Sequence, residues 1–272
     1  MEPAIADGAI RSSGRGLERM ASEEALALNG LDRLVRQGFQ VEFESHAKAI
    51  LNIDYPDALR EIESVLERLQ IPTETLVRGG GGETDITQWM RVAFADLHWR
   101  KRKFEIKKLI DGVERESISH EVDHVRVFND GKVAMEIEWN NKDPFFDRDL
   151  ENFKRLHAEA AISVGIIITR GESLQKAMPS IIGVFAKARN LHSFEDVVAF
   201  GLERTTRQNL EVAKRLKRPG KDFATAWSET FVSDKFGEST THWRKLHDRI
   251  KRGVGNPCPL LLIGIPASVI TP

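Results

Sequence analysis

The chain has 272 residues, 41% of them apolar and 30% charged, and its formal net charge of −1 neither favours nor excludes a nucleic-acid partner. This is the length and composition of a globular protein with a sizeable core; no apolar run approaches the ~20 residues of a membrane-spanning helix, and residues 1–16 lack the apolar centre of a signal peptide. The single cysteine, Cys258, excludes intramolecular disulfide bonds and fits a reducing cytoplasm, which is the location we expect.

Helices are predicted for the first third of the chain. Residues 1–35 are interpreted as a partly disordered tail with a helix for which Ser22 is the N-cap, and residues 36–272 as a single domain. A second helix begins at Pro56 and places its apolar residues on one face. The glycines at 79–82 are interpreted as a hinge, and a third amphipathic helix follows them.

Two consecutive strands that carry acidic residues come next. The pair Asp130-Gly131 is a strong signal for a tight turn between them. If these two residues form the loop, Asp123 lies opposite Glu138 and diagonally next to Glu136. A four-residue loop preserves this pairing, whereas a three-residue loop destroys it. Side chains alternate along a strand, so we expect all three carboxylates on one face.

The negative charges of three carboxylates on one face of a partly buried hairpin need a neutralising partner. Like charges placed opposite one another destabilise a sheet, and burial of an uncompensated carboxylate is costly or forces protonation. A hard divalent cation such as Mg²⁺, which takes oxygen ligands, resolves this difficulty. We therefore expect the carboxyl groups to converge on a shared cation. The alternative is an exposed sheet edge whose acids pair with neighbouring lysines.

The elements after the hairpin indicate a covered sheet. A helix over 147–161 is predicted with Asp147 as its N-cap, and the apolar run at 163–171 has the pattern of a central, buried strand. Residues 258–266 form a similar run. The order helix, hairpin, helix, buried strand predicts an α/β fold with a central mixed β-sheet flanked by helices.

These residues resemble a known family. The order Asp, turn, Glu-x-Glu, helix and apolar strand is similar to the PD-(D/E)XK nuclease core, with Glu138 where lysine is usual, as in the BamHI-like branch. The run VAMEIEWNNKDPFFDRDLENFKRLHAEAAISVGIIITRG resembles the BglII-type restriction endonucleases. The resemblance extends more weakly over 40–180 and to TTHWRKLHDRI and CPLLLIGIP near the end.

The resemblance implies a role for each matching residue. Asp123 and Glu136 match the metal-binding acids, and the backbone carbonyl of Ile137 would complete the protein ligands. Glu138 takes the third catalytic position, either as a ligand or as the group that orients or deprotonates the attacking water. Glu83 resembles an auxiliary acid, although an acid at a helix start is also favoured by the helix dipole. The implied cofactor is Mg²⁺, and the implied products carry a 5′-phosphate and a 3′-hydroxyl.

Candidate DNA contacts follow the catalytic strand and recur in a basic run. They are Asn140, Asn141, Lys142, Arg170, Lys214, Arg215 and Lys217. An asparagine can bond adenine through N6 and N7, although Asn140 and Asn141 also suit a turn. Residues 204–221 carry seven Lys and Arg and one acid, Glu211, so this run is either a phosphate-contacting surface or a solvated helix face. We expect 185–255 to be a helical, basic insertion that contacts DNA.

His120 and His124 are predicted to share the face opposite Asp123 and not to bind metal. Taken together, the sequence predicts a type II restriction endonuclease that uses Mg²⁺ and cuts a short palindrome in double-stranded DNA as a homodimer. A cognate DNA methyltransferase is expected beside it. Two alternatives stay open: a structure- or damage-specific repair nuclease with the same core, and a DNA-binding module without catalysis.

Overall fold

The structure is a computed structural model that describes residues 31–78, 84–202 and 205–272. Its strands, in chain order, are β1 Gln40–Glu44, β2 Ile71–Pro72, β3 Arg100–Ile110, β4 Val113–Phe128, β5 Gly131–Glu138, β6 Val164–Arg170, β7 Leu260–Ile265 and β8 Ile270–Thr271. Six of them form one sheet in the order β1-β7-β6-β5-β4-β3, and β2 pairs with β8 separately. Strands β5, β6 and β7 are parallel, whereas β1, β3 and β4 pair antiparallel with their neighbours.

Helices cover both faces of this sheet. They are α1 Asp32–Arg36, α2 Ala47–Ile53, α3 Pro56–Leu66, α4 Thr73–Val77, α5 Asp85–Asp96, α6 Phe145–Ala158, α7 Glu172–Ala188, α8 Phe194–Ala199, α9 Thr206–Leu216, α10 Phe223–Lys235 and α11 Trp243–Lys251. A mixed α/β sheet flanked by helices is the fold class that the sequence predicts, and that prediction is confirmed. Within the described ranges, no helix combines the length and apolar character that crossing a membrane requires.

Alternation along the strands divides the apolar residues between two layers. Val133 and Met135 of β5 join one buried cluster with residues of α3, α5, α7 and α10. Ala134, between them, joins a second cluster with residues of α6 and α11. The odd and even positions of β5 therefore face different helix layers. The predicted buried strands at 163–171 and 258–266 are confirmed as β6 and β7, whose residues are all buried.

The predicted helix starts are partly correct. Pro56 occupies the first turn of α3, as expected. Asp147 is not an N-cap, because α6 already begins at Phe145; its carboxylate instead accepts hydrogen bonds of 2.7 and 2.9 Å from Arg249 of α11. The predictions for Ser22 and for the glycines at 79–82 lie outside the described residues.

The hairpin between β4 and β5 is shifted from the predicted register. Phe128 pairs with Gly131 and Val125 pairs with Ala134, so the loop is Asn129-Asp130 and not Asp130-Gly131. The expected position of Asp123 opposite Glu138 is therefore wrong by two residues. Because the shift is an even number, the faces of both strands stay as predicted up to this point.

Gly131 has a φ of +156°, which side chains rarely adopt, and it is also needed for close packing. A Cβ at this position would overlap Tyr55 Oη and Ser163 Oγ, which lie 2.8 Å apart in a hydrogen bond. Tyr55 Oη also donates to the Asp130 carbonyl at 3.1 Å. The glycine thus lets α3 and the start of β6 approach the hairpin.

Gly131→Ala should lower the free energy of unfolding by roughly 1–3 kcal/mol beyond the backbone cost of its positive φ, because the added methyl must displace Tyr55 or Ser163. Denaturant titration measures this loss. Gly112→Ala is the matched control: Gly112 has a φ of +76° but no atom near its Cβ position, so only the backbone cost of roughly 1 kcal/mol applies. Equal or smaller destabilisation by Gly131→Ala would contradict the packing role.

Candidate active site

Strands β4 and β5 separate at one end of their hairpin. Their pairing runs from Phe128 and Gly131 to His124 and Met135. Beyond this point β4 pairs only with β3, and β5 pairs only with β6. The remaining residues of β5, from Glu136 onward, therefore line a fork between two strands.

An irregularity in β4 coincides with the fork. Arg102 pairs with Val122 and Arg100 pairs with Val125, so two residues of β4 stand opposite one residue of β3, as in a β-bulge. Asp123 is one of these two residues. Bulges bend a strand and redirect its side chains, and this one places Asp123 where β4 leaves β5.

Three buried carboxyl groups lie at the fork. Glu136 and Glu138, both on β5, are 5% and 2% exposed, and Asp149 of α6 is 1% exposed. Asp123 is exposed, but its backbone N–H donates to Glu136 Oε1 at 3.4 Å. The three predicted acids are therefore gathered at one place, and a fourth acid joins them from the helix.

Burial and mutual repulsion make ionisation of these groups unfavourable. Burial, followed by the charges of Asp149, Asp123 and Glu138, raises the pKa of Glu136 well above its usual value. Burial and Asp149 raise the pKa of Glu138 to about 9. Burial also raises the pKa of Asp149. A cluster of this kind binds either protons or a cation.

Protein groups partly neutralise the cluster. Arg148 contacts Asp149 Oδ1 at 2.8 Å and Glu138 Oε1 at 3.7 Å. Asn141 Nδ2 donates to Glu138 Oε2 at 2.8 Å. Lys101 of β3 lies 3.1 Å from Asp123, and hydrogen bonds to Glu121 and Asp123 raise the pKa of Lys101 to about 12.

Arg148 links two of these carboxyl groups, Glu138 and Asp149, but the acids do not surround a common point. In the part of the chain that the structure describes, no three His, Cys, Asp or Glu side chains stand where they could hold a metal ion. The expectation that Asp123, Glu136 and Glu138 converge on one point is therefore not met in this arrangement. The donor set still fits a hard cation, because all four groups are carboxylates, and Asp149 Oδ2 is buried without a hydrogen-bond donor among the described residues.

The two histidines of β4 do not share a face. His120 lies beside Asn152 and Arg155 of α6, whereas the His124 ring packs on Phe94 of α5 at 6.0 Å between centroids. Helices α5 and α6 cover opposite faces of the sheet. The irregularity in β4 changes the alternation between these positions, so the predicted common face was wrong.

The segment after Glu138 joins the site to the chain before α11. Asn141 binds Glu138, and its backbone N–H donates to Thr241 Oγ1 at 3.1 Å. Lys142 forms a β-bridge with Thr240 and is exposed. Asn140 is half-buried, and its Oδ1 has no hydrogen-bond partner among the described residues. Asn141 therefore orients an acid of the cluster, while Lys142 is open to a ligand.

Arg170 lies in the interior and not on a DNA-facing surface. Its relative exposure is 0%. Nε donates to the Trp139 carbonyl, and Nη1 and Nη2 donate to side-chain and carbonyl oxygens within 2.6–3.5 Å. These acceptors are Gln175, Phe236, Thr240 and Thr241. All five donors are used within the protein, so the predicted phosphate or guanine contact is replaced by a structural role.

Several basic residues of the run at 204–221 form ion pairs with acids of the next helix, α10. Arg215 binds Glu229 of α10 at 3.2 Å, Lys221 binds the same carboxylate, and Arg207 binds Asp234. Within the run, Lys214 pairs with Glu211 at 2.6 Å. Lys217 is exposed. The apolar side of α9 joins the cluster on the α7 face, so this helix belongs to the layer opposite α6.

The remaining predicted site residues are Ile137 and Glu83. Ile137 lies between the two glutamates in the part of β5 that pairs with β6 alone, and its carbonyl as a metal ligand stays a prediction. Glu83 and Arg204 lie outside the described residues.

Asp149 was missed from sequence, although it interrupts the buried stripe formed by Phe146, Leu150 and Phe153. A single acid in such a stripe signals a site.

Comparison with known families identifies a family model that covers most of the chain. The family model described as restriction endonuclease BglII/BglIII matches residues 39–265. The match includes both strands of the hairpin, helix α6 and strands β6 and β7. A search of curated proteins returned no match.

Proposed function

Because this chain belongs to the BglII/BglIII family of restriction endonucleases, we propose that it is a Mg²⁺-dependent type II enzyme that hydrolyses phosphodiester bonds in double-stranded DNA. The products would be a 5′-phosphate and a 3′-hydroxyl. The observation that supports this most directly is the group of buried acids at the fork of β4 and β5, namely Glu136, Glu138 and Asp149 with Asp123 beside them.

The residues would divide the chemistry between them. Asp123 and Glu136, with the Ile137 carbonyl, would hold the cation, which when bound lowers the pKa of a water molecule and neutralises charge on the phosphate. Glu138 would bind the cation or orient the attacking water, and Asn141 holds its carboxylate in place. Glu83 would act as an auxiliary acid. No residue of this set needs to become a covalent nucleophile.

The negative charge of the acids at the fork explains why cleavage would depend on a cation. Without a cation, the acids of the fork repel a phosphate group, and burial makes each ionised carboxylate more costly. Burial, together with the charges of neighbouring acids, is what raises the pKa values of Glu136 and Glu138. A divalent cation would favour the ionised carboxylates and the approach of DNA together. Oxygen donors without His or Cys favour Mg²⁺ over zinc.

DNA contacts are proposed at exposed and half-buried residues near and beyond the site. Lys142 and the neighbouring asparagines Asn140 and Asn141 follow the catalytic strand. The basic residues Lys214, Arg215 and Lys217 would contribute phosphate contacts. A homodimer would place one site on each strand of a palindrome, and a methyltransferase of the same specificity would protect host DNA in the same cytoplasm.

Incubation of the purified protein with plasmid DNA tests the proposal. We expect linear products at a few fixed positions in Mg²⁺ and none in EDTA. Sequencing of the ends gives the recognition site, and ligation without prior phosphorylation identifies 5′-phosphates. Cleavage confined to branched or damaged DNA would favour the repair-nuclease alternative. Binding without cleavage in any divalent cation would favour the non-catalytic module.

Neutralising the exposed basic residues on α9 and at its C-cap should weaken DNA binding in a salt-dependent way. For Lys214→Gln with Lys217→Gln, the slope of log affinity against log salt should fall by up to roughly 0.9 per lost contact. Binding titrations in Ca²⁺ at several salt concentrations measure the slope. Lys176→Gln is a control, since this exposed lysine lies on α7 and pairs with Glu172. An unchanged slope in the double variant would identify the run as a solvated helix face.

A further inference from the structure

Arg148 holds a position that the proposed cation site leaves unexplained. It precedes Asp149 on α6, and its Nε and Nη2 atoms both lie 2.8 Å from Asp149 Oδ1. Nη2 is also 3.7 Å from Glu138 Oε1. The guanidinium therefore bridges two of the buried acids and supplies a positive charge at the fork.

The side chain is nevertheless accessible. The Arg148 side chain is 53% exposed, whereas the side chains of Asp149 and Glu138, which it bridges, are 1% and 3% exposed. Its guanidinium lies over the Phe145 ring at 4.3 Å from the centroid, so the ring supports it from one side. An arginine with this exposure can leave the carboxylates without unfolding the helix, unlike Arg170, whose five donors are all buried.

Charge at this position has two consequences. A guanidinium next to Glu138 and Asp149 stabilises their ionised forms when no other cation is present. The same guanidinium repels a divalent cation that approaches these carboxylates. Once it is displaced, it is an exposed arginine beside the acids, and a planar guanidinium suits bidentate contact with a phosphate.

We propose that Arg148 is a resident counter-ion of the acidic cluster, which a divalent cation displaces, and that the displaced guanidinium binds a phosphate of the DNA. This inference rests on the proposed function, because it requires a cation site at the fork. It assigns Arg148 a positioning role in the free protein and a DNA-binding role in the complex.

The test compares Ca²⁺ binding by wild type and Arg148→Gln in titration calorimetry without DNA. Removal of the competing charge should tighten Ca²⁺ binding by about tenfold. Gel shifts in Ca²⁺ should show weaker DNA binding by the same variant. Arg155→Gln is the matched control, because Arg155 lies on the same helix with 46% exposure and pairs with Glu151 at 3.3 Å. This control should leave Ca²⁺ affinity unchanged.

Arg148→Lys is a second variant in case the glutamine variant fails to fold. It keeps the charge, so Ca²⁺ affinity close to that of wild type is expected. Unchanged or weaker Ca²⁺ binding by Arg148→Gln, or tightening by the lysine variant, would overturn the proposal. If wild type binds no Ca²⁺, the inference also fails, whereas Mg²⁺-dependent cleavage by the same preparation would leave the proposed function standing.

Discussion

Glu136→Ala is expected to abolish DNA cleavage, with a loss of at least roughly 10²–10³-fold, while DNA affinity without metal stays the same or increases. The substitution removes a proposed cation ligand, so the rate falls. It also removes a buried negative charge that repels the phosphate, so binding does not suffer. Affinity comes mainly from phosphate and base contacts on other elements. A cleavage assay in Mg²⁺ and a gel shift in EDTA measure the two effects separately.

The isosteric variant Glu136→Gln adds a stability measurement. Burial and neighbouring acids raise the pKa of Glu136 in the folded protein, so the folded state binds more protons than the unfolded state between the two pKa values. Its contribution to stability therefore falls as pH rises through this window. Above it, Glu136→Gln should be more stable than metal-free wild type.

An exposed acid of the same strand pair provides the control. Glu114 is exposed on β4 and pairs with Lys107 at 3.3 Å rather than with Lys101, the partner of Asp123, so Glu114→Gln should change neither the cleavage rate nor the pH dependence of stability. A purely structural role for Glu136 predicts lower stability and full activity. Cleavage at the wild-type rate by folded Glu136→Ala would contradict the site assignment.

Arg170→Met is expected to cause the largest loss of stability, roughly 3–5 kcal/mol. The substitution keeps much of the side-chain volume but leaves the carbonyls of Trp139 and Thr241 without this donor, whereas the Phe236 carbonyl still accepts from Gln175 at 2.7 Å. Unsatisfied buried carbonyls cost more than the net worth of their hydrogen bonds. Thermal or denaturant unfolding measures the loss.

The same substitution should impair the site indirectly. Arg170 joins the residue after Glu138 to the segment at 240–241, and that segment binds the backbone of Asn141. We therefore expect reduced cleavage even where the variant is folded. Lys176→Met is the control for loss of a positive charge near the start of α7, since this lysine is 74% exposed. Unchanged stability with a specific loss of DNA affinity would restore the predicted DNA contact.

Local patterns were sufficient to predict the fold and the face of the acids. The apolar runs of β6 and β7 indicate central strands because parallel strands are buried on both faces. Alternation placed Glu136 and Glu138 on one face whatever the loop, and a register error of two residues preserves that face. Strand β3 was not predicted, although Asp111-Gly112, where both residues have positive φ, is a signal for the turn that joins it to β4.

Tertiary contacts determine several side-chain directions and ion-pair partners that local sequence patterns do not reveal. The bulge at Asp123 depends on the pairing of β4 with both neighbours, so it separates His120 from His124 without any signal in their spacing. Arg170 at the end of a strand looks the same in sequence whether it faces DNA or the interior. Besides Glu211 within the run, the acids that pair with basic residues of 204–221 are Glu229 and Asp234 of α10, which follows the run.

Anomalous diffraction from crystals soaked in Mn²⁺ tests the central claim most directly, because it locates the cation without relying on activity. The account predicts a peak at the fork of β4 and β5, bound by Asp123 and Glu136, and its loss in Glu136→Ala. A peak elsewhere in a nuclease-active preparation, or an unchanged peak in the variant, would contradict the account.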